Sequence, residues 1–233
     1  MNGVTCYIEN YKKVIDSCKD YLLQLYLQNW GEPTLINYLP EMIKYAANEG
    51  IWTHVSSNLS INYKKDYLER LVKSGLAVLL VDVDGTTQEV YEKYRVKGKL
   101  STVVDNIRSI VKIKKEYKIE YPIIEASMLV TSKNEHQIDE FKEFVENLGV
   151  DRYSFGNIQV NPNTSMNWLP KNKDYVYPTY SGKNYNITAC HWPWSGFVIN
   201  WDGGVSACCI VDDQKADFGN ILNDNLMNVW NSK

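Results

Sequence analysis

The sequence predicts an α/β protein built on a parallel sheet, and three observations carry that expectation. Apolar runs of strand length alternate with stretches of helical periodicity from Tyr21 onward, and strands separated by helices pair in parallel through right-handed crossovers. Gly50, Gly75 and Gly149 each fall just past a helical stretch, where a left-handed residue closes a helix. Hydrophobic residues make up 44% and charged residues 23% of the 233 positions, an ordinary balance for a chain that buries a sizeable core. Five strand–helix units make either an open doubly wound sheet or part of a (β/α) barrel.

Taken in order, the chain opens with a helix expected over Glu9–Lys19 and a strand over Tyr21–Gln28. Gly31-Glu32-Pro33 then marks a turn into a helix over Leu35–Glu49. Glycine permits the turn, proline suits the first helical position, and a carboxylate complements a helix N-terminus. Strands follow at Trp52–Ser57, Val78–Val83, Ile123–Val130 and Tyr153–Val160. The helices between them are expected over Lys64–Ser74, Leu100–Tyr117 and Ile138–Leu148. Residues 161–189 are irregular and rich in Asn, Pro and Tyr. The expected organisation is a barrel domain over 1–160, a linker over 161–186 and a small cysteine-containing domain over 187–233.

The last of these is the most informative. Cys190 is followed after twelve residues by Gly203, and after four more by Cys208 and Cys209. Phe197-Val-Ile-Asn-Trp201-Asp-Gly-Gly204-Val-Ser-Ala207 reads as a strand, a tight turn and a return strand, because Asp-Gly supplies the positive φ angles of a hairpin. A turn centred on Asp202 and Gly203 sets Phe197 opposite Cys208. Thiolates gathered at one end of a hairpin are soft ligands for an iron–sulfur cluster or for zinc, with His191 as a further zinc donor. Adjacent Cys208 and Cys209 would form a disulfide only under strain.

In open and barrel-like parallel sheets alike, ligands bind at the C-terminal ends of the strands. The residues there are Gly31-Glu32-Pro33-Thr34, Ser56-Ser57-Asn58, Asp82-Val-Asp84-Gly85 and Asn134-Glu135. The string Leu25 to Leu35, then Val55-Ser-Ser-Asn58, then Asp84-Gly85…Tyr91-Glu-Lys-Tyr-Arg95…Gly98 and Asn106-Ile107 resembles radical S-adenosylmethionine (radical SAM) enzymes. The spacing Cys-x12-Gly-x4-Cys, with Gly219-Asn220 and Val229-Trp230-Asn231, resembles the SPASM or twitch extension of that family.

The resemblance implies a partial (β/α) TIM-like barrel lacking its first strand, followed by a small cysteine-containing β-hairpin domain. It implies S-adenosylmethionine and an auxiliary 4Fe–4S cluster as cofactors. Gly31 and Glu32 would then hold the α-ammonium, with Ser57 and Asn58 beside them. Asp82 and Asp84 would lie on the ribose side, and Arg95 would face the methionyl carboxylate. Cys190, Cys208 and Cys209 would be metal ligands of a cluster site that is itself incomplete. The implied reaction is radical hydrogen abstraction from a peptide, a protein or a small molecule. The aromatic stretch from Trp168 to Trp201 would stack on that substrate or form the core of the appendage.

One expected part is missing. The family holds its catalytic cluster in a Cys-x3-Cys-x2-Cys loop, whereas Cys6 and Cys18 have eleven residues between them and no third partner nearby. The reading at this level is a fragment truncated at both ends and inert by itself, with Cys18 a buried thiol of a helix. Two alternatives stand beside it. One is a non-enzymatic zinc- or nucleotide-binding module. The other takes Val81-Asp-Val-Asp-Gly-Thr-Thr87 as a haloacid dehalogenase-like phosphatase motif, with Asp82 the nucleophile, Asp84 the acid/base, Lys93, and Asp212-Asp213 as the acidic pair.

Bulk properties narrow the partners. A net charge of −3 gives no general attraction to nucleic acid. No basic leader followed by an apolar run opens the chain, and no apolar stretch approaches the roughly 20 residues that span a bilayer. Five cysteines without a secretion signal suit a reducing compartment, so a cytoplasmic location is expected.

Overall fold

The computed structural model describes residues 7–161, 163–177, 180, 192–211 and 213–232. Five strands form one parallel sheet: β1 (Gln24–Tyr26), β2 (Trp52–Ser57), β3 (Val78–Asp82), β4 (Ile123–Val130) and β5 (Arg152–Asn157). They lie side by side in chain order, each in parallel register with the next. A doubly wound sheet reverses its strand order at a switch point. This sheet has no reversal, so of the two architectures open to the sequence it has the singly wound, barrel-type one, as an open five-stranded section.

Helices α1 (Ile8–Cys18), α2 (Leu39–Asn48), α3 (Lys65–Val72), α4 (Gln88–Tyr94), α5 (Leu100–Tyr117) and α6 (Ile138–Glu146) complete the α/β part. β2, β4 and α5 have the limits the sequence predicts. β1 is shorter than expected, because the amides of Tyr21 and Leu22 bond to the Cys18 carbonyl and finish α1 instead of entering the sheet. α2 starts late for a similar local reason. Pro33–Leu35 forms a separate 3-10 turn, and Pro40 fits the first turn of a helix beginning at Leu39. α4 was not anticipated: its polar sequence buries Val90 and Tyr91 and little else.

The strands alternate in burial. Thr53, Val55 and Ser57 of β2, and Ile124, Ala126, Met128 and Val130 of β4, point into the helix-covered face. Leu39, Ile43, Leu79, Val81, Ile107, Ile110 and Phe141 fill that core at no more than 1% exposure. The opposite face carries His54, Ser56, Leu80, Asp82, Glu125 and Ser127, all partly exposed. A parallel sheet covered on both faces reads as continuous apolar strands. Here one face is polar, with Ser56, Leu80, Glu125 and Arg152 in one lateral row and an Arg152–Glu125 ion pair at 2.6 Å.

α1 joins the sheet to the C-terminal segment. Tyr11 and Ile15 pack on Met42, Ala46 and Ile51, while Cys18 packs on Val205, Ile221, Leu226 and Val229. Burial pushes the Cys18 thiol up to about 11, with Asp16 adding, and it donates to the Val14 carbonyl at 3.1 Å. It is the buried structural thiol the helical pattern suggested.

The C-terminal segment holds a three-stranded antiparallel sheet of β6 (Val198–Ile199), β7 (Gly204–Ser206) and β8 (Gly219–Asn220), in that order, with short helices α7 (Trp192–Ser195) and α8 (Leu226–Trp230). Val198 pairs with Ser206 and Ile199 with Val205, so the register differs by one residue from expectation and Phe197 falls opposite Ala207. The loop is three residues long, Trp201-Asp202-Gly203. The Gly203 amide bonds to Asn200 O at 3.0 Å and Asn200 N to Gly204 O at 2.8 Å. Gly203, at φ +86°, supplies the left-handed residue that such loops require. Residues 163–177 pack on the sheet and do not hang free: Val176 bridges to Ile158, and Glu135 accepts from the Lys171 and Asn172 amides at 2.8 and 3.2 Å.

Candidate functional site

Two groups of polar residues meet at the C-terminal ends of the strands. The first is built on β1 and β2. Glu32 caps the turn Pro33–Leu35, and its Oε1 accepts from the Thr34 amide at 3.1 Å, Thr34 Oγ1 at 2.5 Å and Ser57 Oγ at 2.7 Å. Its Oε2 accepts from the Asn58 amide at 3.2 Å, which leaves that oxygen with capacity for a further donor. Tyr63 OH lies 2.5 Å from Thr34 Oγ1. Gly31, exposed at φ +105°, turns the chain into this arrangement.

The loop beyond β2 is held from below. Leu59 has φ +44°, a left-handed conformation unusual for leucine. Asn106 of α5, buried among apolar neighbours, donates to the carbonyls of Leu59 and Ile61 at 2.8 Å each. A lone asparagine on the apolar stripe of α5 is the sequence signal for this brace.

The second group is built on β3 and the end of α4. Arg95 Nε donates to Asp84 Oδ2 at 2.6 Å, and Arg95 Nη2 lies 3.2 Å from Asp82 Oδ2. Asp84 is 1% exposed, Asp82 30% and Arg95 25%. Asp84 Oδ1 accepts the Leu129 amide at 2.9 Å, and Asn134 Nδ2 donates to the Asp84 carbonyl at 3.0 Å. Burial pushes the Asp82 carboxyl up to about 6; Arg95 opposes the shift, while Asp84 and Glu32 add to it. Burial raises Asp84 as well, against the pull of Arg95 and the Leu129 amide. For Arg95, burial works against its charge but the two aspartates outweigh it.

The groups converge. Asn58, Ser60, Tyr91, Arg95, Val96 and Gly98 line one cleft of about 140 Å³. Asn58 and Arg95 stand on its walls, Glu32 is bonded to Asn58, and Asp82 is bonded to Arg95. Two of the expected site residues sit behind the wall. Ser57, at 2% exposure, orients Glu32 and accepts the Leu59 amide at 3.0 Å. Asp84 has both oxygens engaged and is enclosed, so it anchors Arg95 in place of reaching a ribose. Tyr91 and Ser60 were missed as cleft residues. Tyr91 is wholly buried, and its hydroxyl has no hydrogen-bond partner among the described residues.

The thiols lie elsewhere. Cys208, half-buried, and Cys209, exposed, lie just beyond β7, after Ala207, and burial followed by the neighbouring Cys208 raises the Cys209 thiol. They are adjacent soft donors; the small apolar void of about 40 Å³ in the same segment is lined by Phe197, Val205, Ala207, Phe218 and Trp230 among others, and not by the thiols. Cys190 and His191 lie outside the described residues. Among the described residues, no three His, Cys, Asp or Glu are grouped to hold a metal.

The phosphatase alternative finds no support in the geometry. Lys93 pairs with Glu89 at 3.4 Å on the exposed side of α4, and Asp213 caps the turn Gln214–Ala216 through the Lys215 amide. Asp212 lies outside the described residues. Asp82 is paired with Arg95 at 3.2 Å.

Comparison with known proteins points the same way as the residues. Residues 190–233 match the SPASM model, an iron–sulfur cluster-binding domain. The chain is 23% identical over 258 aligned positions to the tungsten-containing aldehyde ferredoxin oxidoreductase cofactor-modifying protein of Pyrococcus furiosus, covering 96% of this chain and 72% of that protein. Its fold is shared with Streptococcus suis SuiB bound to S-adenosylmethionine, at TM-score 0.72 and 14% identity, covering 95% of this chain and 58% of that one. It is shared also with anSMEcpe with bound AdoMet and the Cp18Cys peptide, at TM-score 0.71 and 15% identity, covering 99% and 74%. The chain thus spans 58% of SuiB; the SPASM match covers its residues 190–233, and the two solved structures share its fold.

Proposed function

We propose that the cleft at the strand ends binds S-adenosylmethionine, and that Cys190, Cys208 and Cys209 belong to an auxiliary 4Fe–4S site in the SPASM-type segment. The observation that carries the first half is the convergence of the Glu32–Asn58 and Asp84–Arg95 pairs on one rim. The donor set suits the ligand. The open position on Glu32 Oε2 takes an ammonium, and the Nη edge of the Arg95 guanidinium, shared with Asp82, takes a carboxylate. Glu32, Asp82 and Asp84 set three carboxylates against one guanidinium, a field that favours a sulfonium cation. Ser57 and Asn106 keep Glu32 and the loop after β2 in position, and Asp84 keeps Arg95 in position.

A reduced 4Fe–4S cluster supplies the electron for cleaving a sulfonium. No Cys-x3-Cys-x2-Cys spacing occurs in these 233 residues, so the proposal assigns them binding and positioning. Two relatives support a reading of the substrate class: SuiB has a structure bound to the precursor peptide SuiA, and the Pyrococcus furiosus relative is a cofactor-modifying protein. A peptide or a small molecule reaching the polar face of the sheet is the corresponding reading here. No helix among the described residues is long and apolar enough to cross a membrane.

Isothermal titration with S-adenosylmethionine tests the assignment. Glu32→Ala removes the ammonium acceptor and unties Asn58, and is expected to weaken binding at least about ten-fold, the effect of about 1.4 kcal/mol. Equal affinity in wild type and variant would remove Glu32 from the site. For the thiols, anaerobic reconstitution with iron and sulfide is expected to give charge-transfer absorbance that falls in Cys208→Ala. A colourless protein carrying stoichiometric zinc would favour a zinc module.

A further inference from the structure

We propose that Asp82 decides which adenosyl ligands the cleft accepts, because its carboxylate holds the edge of Arg95 that a ligand carboxylate has to reach. The inference rests on the S-adenosylmethionine reading and deepens it. Arg95 divides its donors between two aspartates of unequal freedom. Asp84 takes Nε at 2.6 Å, is 1% exposed and is fixed on its other oxygen by the Leu129 amide. It cannot give way. Asp82 takes Nη2 at the longer distance of 3.2 Å and is 30% exposed on the polar face of the sheet. It is the partner that a ligand can displace.

Two carboxylates sharing one guanidinium repel each other, and the site already carries Asp84. A ligand with its own carboxylate therefore competes with ionised Asp82. A ligand with the sulfonium and amine but no carboxylate meets the same three carboxylates as pure attraction. Asp82 thereby discriminates by the presence or absence of a carboxylate at the far end of the nucleoside.

The discrimination depends on pH, since the Asp82 carboxyl is raised to about 6 by its burial. The charged groups facing it are Arg95, which lowers it, and Asp84 and Glu32, which raise it. Tyr91 and Tyr94 of α4 also face it, and burial raises both above their ordinary range, so they stay neutral here. Below about 6 Asp82 is neutral and releases Nη2. Affinity for a carboxylate-bearing ligand rises as pH falls through that value.

The test is titration calorimetry on the full chain with S-adenosylmethionine and with decarboxylated S-adenosylmethionine, at pH 5 and pH 7. If the neutral form alone admits the carboxylate, a group titrating at about 6 is ten times more often protonated at pH 5 than at pH 7, so wild type binds S-adenosylmethionine about ten-fold tighter at pH 5. Decarboxylated ligand shows no such gain. Asp82→Asn, with Asp82→Ser as a second variant, binds S-adenosylmethionine equally at both pH values and as tightly as wild type at pH 5. Variants that bind S-adenosylmethionine more weakly than wild type at pH 7, or keep its pH dependence, overturn the proposal while leaving the cleft assignment intact. Absence of binding by both ligands at both pH values overturns the cleft assignment and this inference together.

Discussion

Arg95→Met is expected to destabilise the chain by about 3–5 kcal/mol, the range for removing one partner of a buried ion pair. The variant keeps an unbranched apolar stem but leaves Asp82 and Asp84 facing each other with no cation between them. Asp84 is 1% exposed and cannot turn to water for compensation. Its remaining partner, the Leu129 amide, satisfies one oxygen. The sign of the pH effect follows. Without Arg95 both carboxyls move further up, and a carboxyl raised in the folded state stabilises below its unfolded value and loses that contribution as pH rises through the folded one. The deficit against wild type should therefore be small near pH 4 and full near pH 8. Urea unfolding at the two pH values measures it. A loss under about 1 kcal/mol, or one that does not change with pH, would show that the aspartates are not dependent on Arg95. Arg95→Lys retains the charge without the fork that spans two carboxylates, and should fall between the two.

Gly85→Ala is the second large effect. A Cβ at this position would sit 2.7 Å from Tyr91 N, 3.0 Å from Tyr91 Cα and 3.2 Å from the Val90 carbonyl carbon. All three are backbone atoms of α4, so a side-chain rotation cannot relieve the contact. The helix must move, and with it Tyr91 on the cleft wall and Arg95 one turn beyond. Overpacking of this kind costs about 1–3 kcal/mol, and the shift of Arg95 should also abolish measurable S-adenosylmethionine binding. Gly156→Ala in β5 is the matched control, because its Cβ would meet Leu129 Cδ1 at an ordinary 3.4 Å. Thermal unfolding and titration of the two variants side by side separate the close approach from a general intolerance of alanine. Equal behaviour would mean that the Asp84-Gly85 turn tolerates displacement of α4.

Much of the fold was legible because hydrophobic periodicity is a backbone-scale signal. The limits of β2, β4 and α5 follow from alternation and helical spacing alone. Where a neighbour competes for backbone hydrogen bonds, the pattern misleads. Leu22 belongs to an apolar run that reads as strand, yet its amide is captured by Cys18 O. Asp202-Gly203 reads as a two-residue turn, yet the Gly203 amide closes onto Asn200 and lengthens the loop by one. α4 was invisible because a seven-residue helix with two buried side chains shows no periodicity.

The site divides along the same line. Strand-end placement located Glu32, Asn58 and Asp82, since topology puts those positions at one end of the sheet, whereas Arg95, at the end of α4, came only from the family resemblance. Depth is a different matter. Whether Ser57 and Asp84 face the cleft or the wall behind it depends on strand pleat and on which donors arrive from β4 and α4. Arg95 lies 11 residues from Asp84 along the chain, and nothing in sequence spacing fixes a guanidinium between two carboxylates across such a gap. The same holds for Asn106, whose reach to the loop after β2 spans 47 residues.

The central claim is that one cleft between the tips of β2 and the end of α4 receives an adenosyl ligand, and photolabelling locates it most directly. Irradiation of the full chain with 8-azido-S-adenosylmethionine, followed by peptide mapping, should place adducts in the segments Asn58–Tyr63 and Tyr91–Gly98, suppressed by excess S-adenosylmethionine. Adducts confined to the hairpin Phe197–Cys209, or spread along the chain and indifferent to the competitor, would contradict it.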